Sequence, residues 1–293
     1  MPSPIPRSGW PDVAGVMHAN RFRLPAEYRR PTIIGGGFVA AVWLFIVLTV
    51  SWWAPFGPLE SVGKRLDPPS RSHWLGTDAL SRDVFTRVLY GARQTLPISV
   101  AVIVCAVAIG SLLGSLAGYA GGFTDTVIMR FVDVTMAFPP IFLAMAIAAA
   151  LGPGLRNAFF AMVIVWWPIY ARLLRGQVLS IKHRDHIQAA VSIGATPGRI
   201  LRKHVIPLSF TPALINATLD LGQVVILTAT LSFLGLGAKP PSPEWGAMIT
   251  DGAKYFYQWW VAVAPGLAIL TIGLALNFLG DGLRDAFDVR ARR

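Results

Sequence analysis

The stretch Thr95–Tyr119, TLPISVAVIVCAVAIGSLLGSLAGY, carries no charged side chain over its whole length. About 20 mostly apolar residues in a helix suffice to cross the hydrocarbon core of a bilayer, where every backbone group must be satisfied within the segment. This one is long enough to cross and too uniformly apolar to show water a polar face. Within it Gly110, Gly114 and Gly118 recur every fourth residue, with Ser111 and Ser115 beside them. Such a small-residue stripe lets a second helix approach closely; it is a packing signal and says nothing about cargo.

Five further stretches read the same way: Thr32–Ala54, Val127–Leu151, Asn157–Leu174, Pro212–Leu236 and Trp259–Leu279. Trp52 and Trp53, Trp166 and Trp167, and Trp259 and Trp260 sit where aromatic rings suit the headgroup region. The expected fold is an all-α polytopic membrane protein with six transmembrane helices. The 293 residues as a whole agree, being 54% hydrophobic and only 14% charged. A soluble chain averages about 25% charged residues, and the deficit leaves too little polar sequence to give most elements a wet face. The single cysteine, Cys105, excludes a disulfide framework or a cysteine metal cluster.

A net charge of +11 suggests a nucleic-acid partner until the charges are placed along the chain. With a cytoplasmic N-terminus, the inside segments hold seventeen of the 26 basic residues, among them Arg7, Arg21, Arg23, Arg29, Arg30, Arg172, Arg175, Lys182, Arg199, Lys203 and Arg284. Basic residues collect in cytoplasmic loops, so both termini are expected in the cytoplasm and no nucleic-acid partner is needed. No cleavable signal peptide is expected, because the first thirty residues are polar and proline-rich. The organisation expected is a cytoplasmic segment 1–31, a first transmembrane helix 32–54 and an external loop 55–93. A five-helix core 94–281 follows, carrying a cytoplasmic loop 176–207, and a cytoplasmic tail 282–293 closes the chain.

Three connections are too long for plain turns. In the first, Ser81-Arg82-Asp83 opens a helix with Val84, Phe85, Val88 and Leu89 on one face, and Gly91 can end it. Arg82, Asp83, Thr86 and Arg87 form its polar face, which suits either a helix lying on the bilayer or a docking surface. In the second, Asp185–Ala195 is a short helix broken at Gly194, and Thr196 with Pro197 caps and starts another. Helix, glycine turn, helix resembles a DNA-binding pair in isolation, but the tether between two spans argues against that reading. The small residues Ala189, Ala190, Gly194 and Ala195, flanked by Arg and Lys, suit close approach by a partner; a compact loop without a partner is the alternative. The third, Gly237–Gln258, is stiffened by prolines, and Trp245 is an anchor for either the bilayer interface or a soluble partner.

Asn216, Asp220 and Gln223 share one face of the fifth span by their spacing. An ionised Asp at mid-helix costs about 2.5–3.5 kcal/mol on insertion scales, so Asp220 must face protein or water. It serves a pathway, a subunit interface or a structural partnership within the bundle. Arg130 and Asp133 are spaced to pair with each other. Catalytic, cofactor and metal sites are not expected. There is no phosphate-binding G-x-x-x-x-G-K-[ST] loop, and His183 and His186 lack a third ligand nearby. No Ser/His/Asp or paired-carboxylate set lies in a span.

Gln188-Ala189-Ala190, three residues, Gly194, nine residues, then His204-Val205-Ile206-Pro207 resembles the "EAA" loop of the membrane subunits of ABC importers. The likeness is closest to the dipeptide/oligopeptide C-subunit permeases. His73-Trp74-Leu75-Gly76-Thr77-Asp78, Ser81-Arg82-Asp83-Val84 and Tyr170-Ala171-Arg172 resemble that branch, as do Leu231–Gly237, Glu244-Trp245-Gly246-Ala247-Met248 and Gly280–Asp285. Gln188 stands where the family usually has Glu, and Ile206 where Leu is usual; Gln keeps shape and hydrogen bonding but not charge.

The resemblance implies a type I ABC importer transmembrane domain in the bacterial plasma (inner) membrane. It implies a heterodimer with a homologous second permease, two ATPase subunits that bind ATP and magnesium, and an extracytoplasmic solute-binding protein. Asp185, Gln188, Ala189, Ala190, Gly194, Ala195, Arg199, His204 and Pro207 would then form the loop that couples to an ATPase. Glu244 and Trp245 would lie in a region where the binding protein docks. Peptide is the implied cargo, with nickel, glutathione or another small solute as alternatives on the same architecture. A stand-alone secondary transporter or channel would need ion-coupling sites and usually internal repeats, which are not seen.

Overall fold

The computed structural model describes residues 31–182 and 184–291. The expected N-terminal segment 1–31 therefore lies outside the described residues up to residue 30, as do the last two residues of the tail 282–293. Among the described residues the chain is helical, with two isolated bridges, Ser61 to Arg82 and Thr77 to Asp83, and no named strand. Five helices are long and apolar enough to cross a membrane: α1 (Pro31–Trp53), α2 (Val84–Ala120), α5 (Leu155–Ile181), α8 (Ile206–Phe233) and α10 (Trp260–Ala291).

The expected span Val127–Leu151 is not a single straight helix. Its place is taken by α3 (Gly122–Met136) and α4 (Pro140–Leu151), which meet at 93°. The cause is Phe138-Pro139-Pro140: a proline bars its predecessor from the α conformation, and neither proline can donate to a continuing helix. Prolines also sit inside α2 (Pro97), α5 (Pro168), α8 (Pro212) and α10 (Pro265) without ending them. Membrane helices tolerate these because neighbours re-satisfy the freed backbone groups.

The expected amphipathic helix and the second span prove to be one element. Asp83 caps α2 by accepting from the Thr86 N–H at 2.8 Å, as the Ser81-Arg82-Asp83 run suggested, but the helix continues through Gly91 to Ala120. Gly91 is small for a different reason: a Cβ there would lie 2.5 Å from Cδ1 of Trp245. The polar face Arg82, Asp83, Thr86 and Arg87 is buried along with Val84 and Val88, so this segment neither lies on a bilayer nor offers a docking surface.

The glycine stripe sets a close crossing between α2 and α5. A Cβ on Gly110 would meet the Trp167 carbonyl and the Tyr170 Cβ at 2.5 Å, and one on Gly114 would overlap the Ala171 backbone. α2 and α5 thus touch backbone to backbone. Around that contact Val102, Ile103 and Ala106 of α2, Met162 and Trp166 of α5, and Val224 and Leu231 of α8 form one core. A second core joins Val84, Val88 and Ala92 to Trp245, Trp260, Val261 and Ile272.

The two ends of the bundle carry different material. At one end a Cβ on Gly282 of α10 would run into Ile33 of α1, and Lys182, just after α5, donates to the Gly118 carbonyl at 3.1 Å. Hence the start of α1, the end of α10, the end of α2 and the segment 182–205 share that end. At the other end lie residues 55–83 and 234–259, joined by Trp260, which donates to the Thr77 carbonyl at 3.3 Å.

Candidate functional site

The segment between α5 and α8 consists of α6 (Asp185–Ser192), α7 (Pro197–Ile200) and a π-turn, Leu201–Val205, that runs into α8. Its underside is apolar. Ile187, Ile200 and Val205 are buried against Val178 and Ile181 of α5, with Tyr119 of α2 packed alongside. The segment is therefore seated on the ends of α5 and α2 and continues into α8. Gln188 Nε2 donates to the Lys182 carbonyl at 2.9 Å, which satisfies a group left open at the end of α5. Gln188 thus has an internal role that needs a donor, which a carboxylate lacks.

α6 ends in a turn at Gly194, whose φ of +83° is the left-handed conformation that closes helices. Ala195 N–H reaches back to the Ala190 carbonyl at 3.0 Å across it. The backbone favours glycine here, while a Cβ on Gly194 would meet nothing within 4 Å, so the space beyond stays open. The outward surface of the segment comprises Asp185, Gln188, Ala189, Gly194 and Arg199, with Lys203 and the 86%-exposed Ile193 beside them. Of the remaining residues assigned to this loop, Ala190 is buried, Ala195 half-buried and Pro207 exposed at the start of α8, while the side chain of His204 lies outside the described residues. Ile193 was not anticipated: an isolated apolar residue at a helix end looks like core in the sequence.

Two ion pairs tie α3 to α5 near this end. Asp125 meets Arg175 through two contacts of 2.5 and 2.6 Å, and Asp133 meets Arg172 at 2.7 Å. The expected pairing of Asp133 with Arg130 is not made; α5 brings a closer guanidinium than the helix's own next turn.

At the opposite end Glu244 and Trp245 do not stand on the surface. Both are fully buried. Glu244 caps α9 (Trp245–Gly252) by accepting from the Ala247 N–H at 3.0 Å, and its other oxygen accepts from the Thr95 hydroxyl at 3.2 Å. Trp245 donates from Nε1 to the Val88 carbonyl at 2.8 Å and fills the space left by Gly91. Each completes the contact between α9 and α2. Burial pushes the Glu244 carboxyl above its ordinary value, opposed by those hydrogen bonds. Beneath them lies a buried charged cluster. Asp78 accepts from Arg82 Nε at 2.7 Å and lies 3.5 Å from Arg87, and His73 Nδ1 is 3.0 Å from Asp83. Exposed aromatic residues at this end include Trp74, Phe256, Tyr257 and Trp259.

The polar stripe of α8 lies between these ends. Gln223 is exposed, and Asn216 and Asp220 are half-buried. Tyr170 of α5, itself buried, donates to Asp220 Oδ2 at 2.7 Å. The Trp166 indole N–H, one turn earlier, faces the same carboxylate from outside hydrogen-bond geometry. The sequence placed Tyr170 in a motif but gave no signal that it meets α8, since that contact depends on how closely the helices cross.

Known proteins resemble this chain along most of its length. The family described as "Binding-protein-dependent transport system inner membrane component" matches residues 110–293. A probable D,D-dipeptide transport system permease protein, DdpC, of Escherichia coli is 41% identical over 89% of this chain and 88% of its own. A dipeptide transport system permease protein, DppC, of Alkalihalophilus pseudofirmus is also 41% identical, over 87% of this chain and 86% of its own. Among solved structures, an inward-facing MetNI methionine ABC transporter chain superposes with a TM-score of 0.55 and 22% identity, over 68% of this chain and 95% of that one. That last likeness concerns the fold.

Proposed function

This chain belongs to the family of binding-protein-dependent transport system inner membrane components, and from that premise we propose how it works within an ATP-driven peptide importer. It is a multi-pass membrane permease subunit of an ABC importer, a transport component rather than an enzyme. We place it in the bacterial plasma membrane as six crossings, with the bent pair α3–α4 counted as one. The segment 182–205 and both termini then lie on the cytoplasmic side.

The observation that carries the reading is the build of that segment. Its apolar underside rests on α2 and α5 and its end runs into α8, while small residues and basic groups face outward around an open turn at Gly194. A surface fixed to three membrane helices yet open to a partner can convert a push into helix movement. We assign the push to one of two separate ATPase subunits, which hold ATP and magnesium. A homologous second permease completes the translocation path, which the face bearing Asn216, Asp220 and Gln223 lines. A solute-binding protein delivers peptide to the opposite end, where Trp74, Phe256, Tyr257 and Trp259 stand exposed.

The test is uptake of labelled dipeptide by proteoliposomes holding the full importer, with unlabelled dipeptide, glutathione and nickel as competitors. Competition by dipeptide alone is expected. Competition by nickel or glutathione in its place reassigns the cargo, and uptake that proceeds without ATPase subunits refutes the mechanism.

A further inference from the structure

Among the described residues Asp220 differs both from the carboxylates held in ion pairs and from Glu244, whose two oxygens each accept a hydrogen bond. Asp125 meets Arg175, Asp133 meets Arg172, and Asp78 meets Arg82. Asp220, at the middle of α8, has no lysine or arginine within ion-pair distance among the described residues. One of its oxygens accepts from Tyr170, and the other has no hydrogen bond among the described residues. A carboxylate at the centre of a membrane helix demands compensation, and such residues mark the routes of ions and substrates.

The neighbourhood is built for a ligand with a positive end. Tyr170 holds the carboxylate through its hydroxyl, with Trp166 one turn earlier on α5 facing it, so the carboxylate is oriented before any ligand arrives. On the open side Asn216 and Gln223 flank Asp220 with further amide donors and acceptors. Neither α5 nor α8 presents a cation at that level. The first basic residue C-terminal to Tyr170, Arg172, is committed to Asp133.

We infer that Asp220, positioned by Tyr170, is a cargo-binding residue of the translocation path that takes the protonated α-amino group of a peptide. The inference rests on the peptide-permease reading above. The ammonium supplies the charge that this chain withholds and donates to the free carboxylate oxygen. The amide groups of Asn216 and Gln223 then suit the first peptide carbonyl and N–H.

Binding of labelled dialanine to the purified importer, without its binding protein, tests this directly. N-acetyl-dialanine, which lacks the charge, is the control. The wild-type complex should prefer the free amine by about ten- to a hundredfold, the range that a hydrogen bond to a charged group supplies. Asp220→Asn keeps the acceptor for Tyr170 and should abolish the preference; Asp220→Glu should keep most of it. Tyr170→Phe should weaken free-amine binding and spare the acetylated peptide. An Asp220→Asn complex that retains the preference overturns the inference while leaving the peptide reading intact. A complex that falls apart on Asp220→Asn assigns the missing cation to the second permease, which also overturns it. Failure of the wild-type importer to take up any peptide removes the peptide reading itself.

Discussion

Replacing Gly194 by asparagine separates two reasons for a glycine at the α6 turn. The backbone reason is its φ of +83°. An ordinary L-residue in that conformation costs about 1–2 kcal/mol, whereas asparagine visits it readily. The spatial reason is external, since a Cβ there would meet nothing of this chain within 4 Å. Gly194→Ala should therefore weaken the turn by about 1–2 kcal/mol, roughly a five- to thirtyfold shift in its population, while adding little bulk. Gly194→Asn should leave the turn nearly intact but place a side chain in the open space. If an ATPase seats there, the asparagine variant insert should still assemble in the membrane and show binding-protein-stimulated ATP hydrolysis and peptide uptake both sharply reduced. The alanine variant should lose less. The assay is ATP hydrolysis and dipeptide uptake in the same proteoliposomes. Full uptake by Gly194→Asn would refute the seating of a partner on this turn, and a larger loss with alanine than with asparagine would locate the requirement in the backbone alone.

Three further outcomes follow from the packing. Gly114→Val should force α2 off the Ala171 backbone and cost about 1–3 kcal/mol or more by overpacking, visible as a lowered thermal unfolding midpoint in detergent; an unchanged midpoint contradicts the close crossing. Asp78→Asn should cost about 3–5 kcal/mol, because it leaves Arg82 and Arg87 buried with their shared countercharge removed; chemical denaturation measures this, and a neutral effect would show the cluster to be wet. For Glu244, burial raises the folded value, so between the ordinary value near 4.5 and that raised value the folded state holds more protons than the unfolded one. Its contribution to stability therefore falls as pH rises through that window. Glu244→Gln should gain on the wild type as pH rises from 4 to 8 in paired unfolding midpoints, and a gap that narrows has the wrong sign.

Much of the fold was legible because a bilayer leaves few solutions. An uncharged run such as Thr95–Tyr119 has one structural outcome, and α1, α2, α5, α8 and α10 follow from such runs. The bend at Phe138-Pro139-Pro140 is written in the same letters, yet hydrophobicity alone runs smoothly across it. Gly91 shows the other limit: a helix stop and a seat for Trp245 look identical until the residue that sits there is known. Trp245 and Glu244 misled for a related reason. A tryptophan and a carboxylate in a proline-rich loop suggest a surface, but here each is paired with a group on α2 more than 140 residues away in sequence. Asp220 was legible as a problem, because its cost in a membrane is local. Its partner Tyr170 was not, because it belongs to another helix.

At about 1.5 Å per residue, the 37 residues of α2 make a strut of roughly 55 Å, well beyond the hydrocarbon thickness it has to cross. Trp245 is wedged against it near one tip and Lys182 grips it near the other, while the glycine ladder meshes it with α5 like teeth in a rack. Meshed backbones do not slide by small amounts, so these two helices have to swing as one lever. A displacement of the segment 182–205 would then be carried along α2 toward the far tip. The compliance that a transport cycle needs has to reside elsewhere, and the elbow between α3 and α4, tethered to the lever by two ion pairs, is the joint best placed to flex.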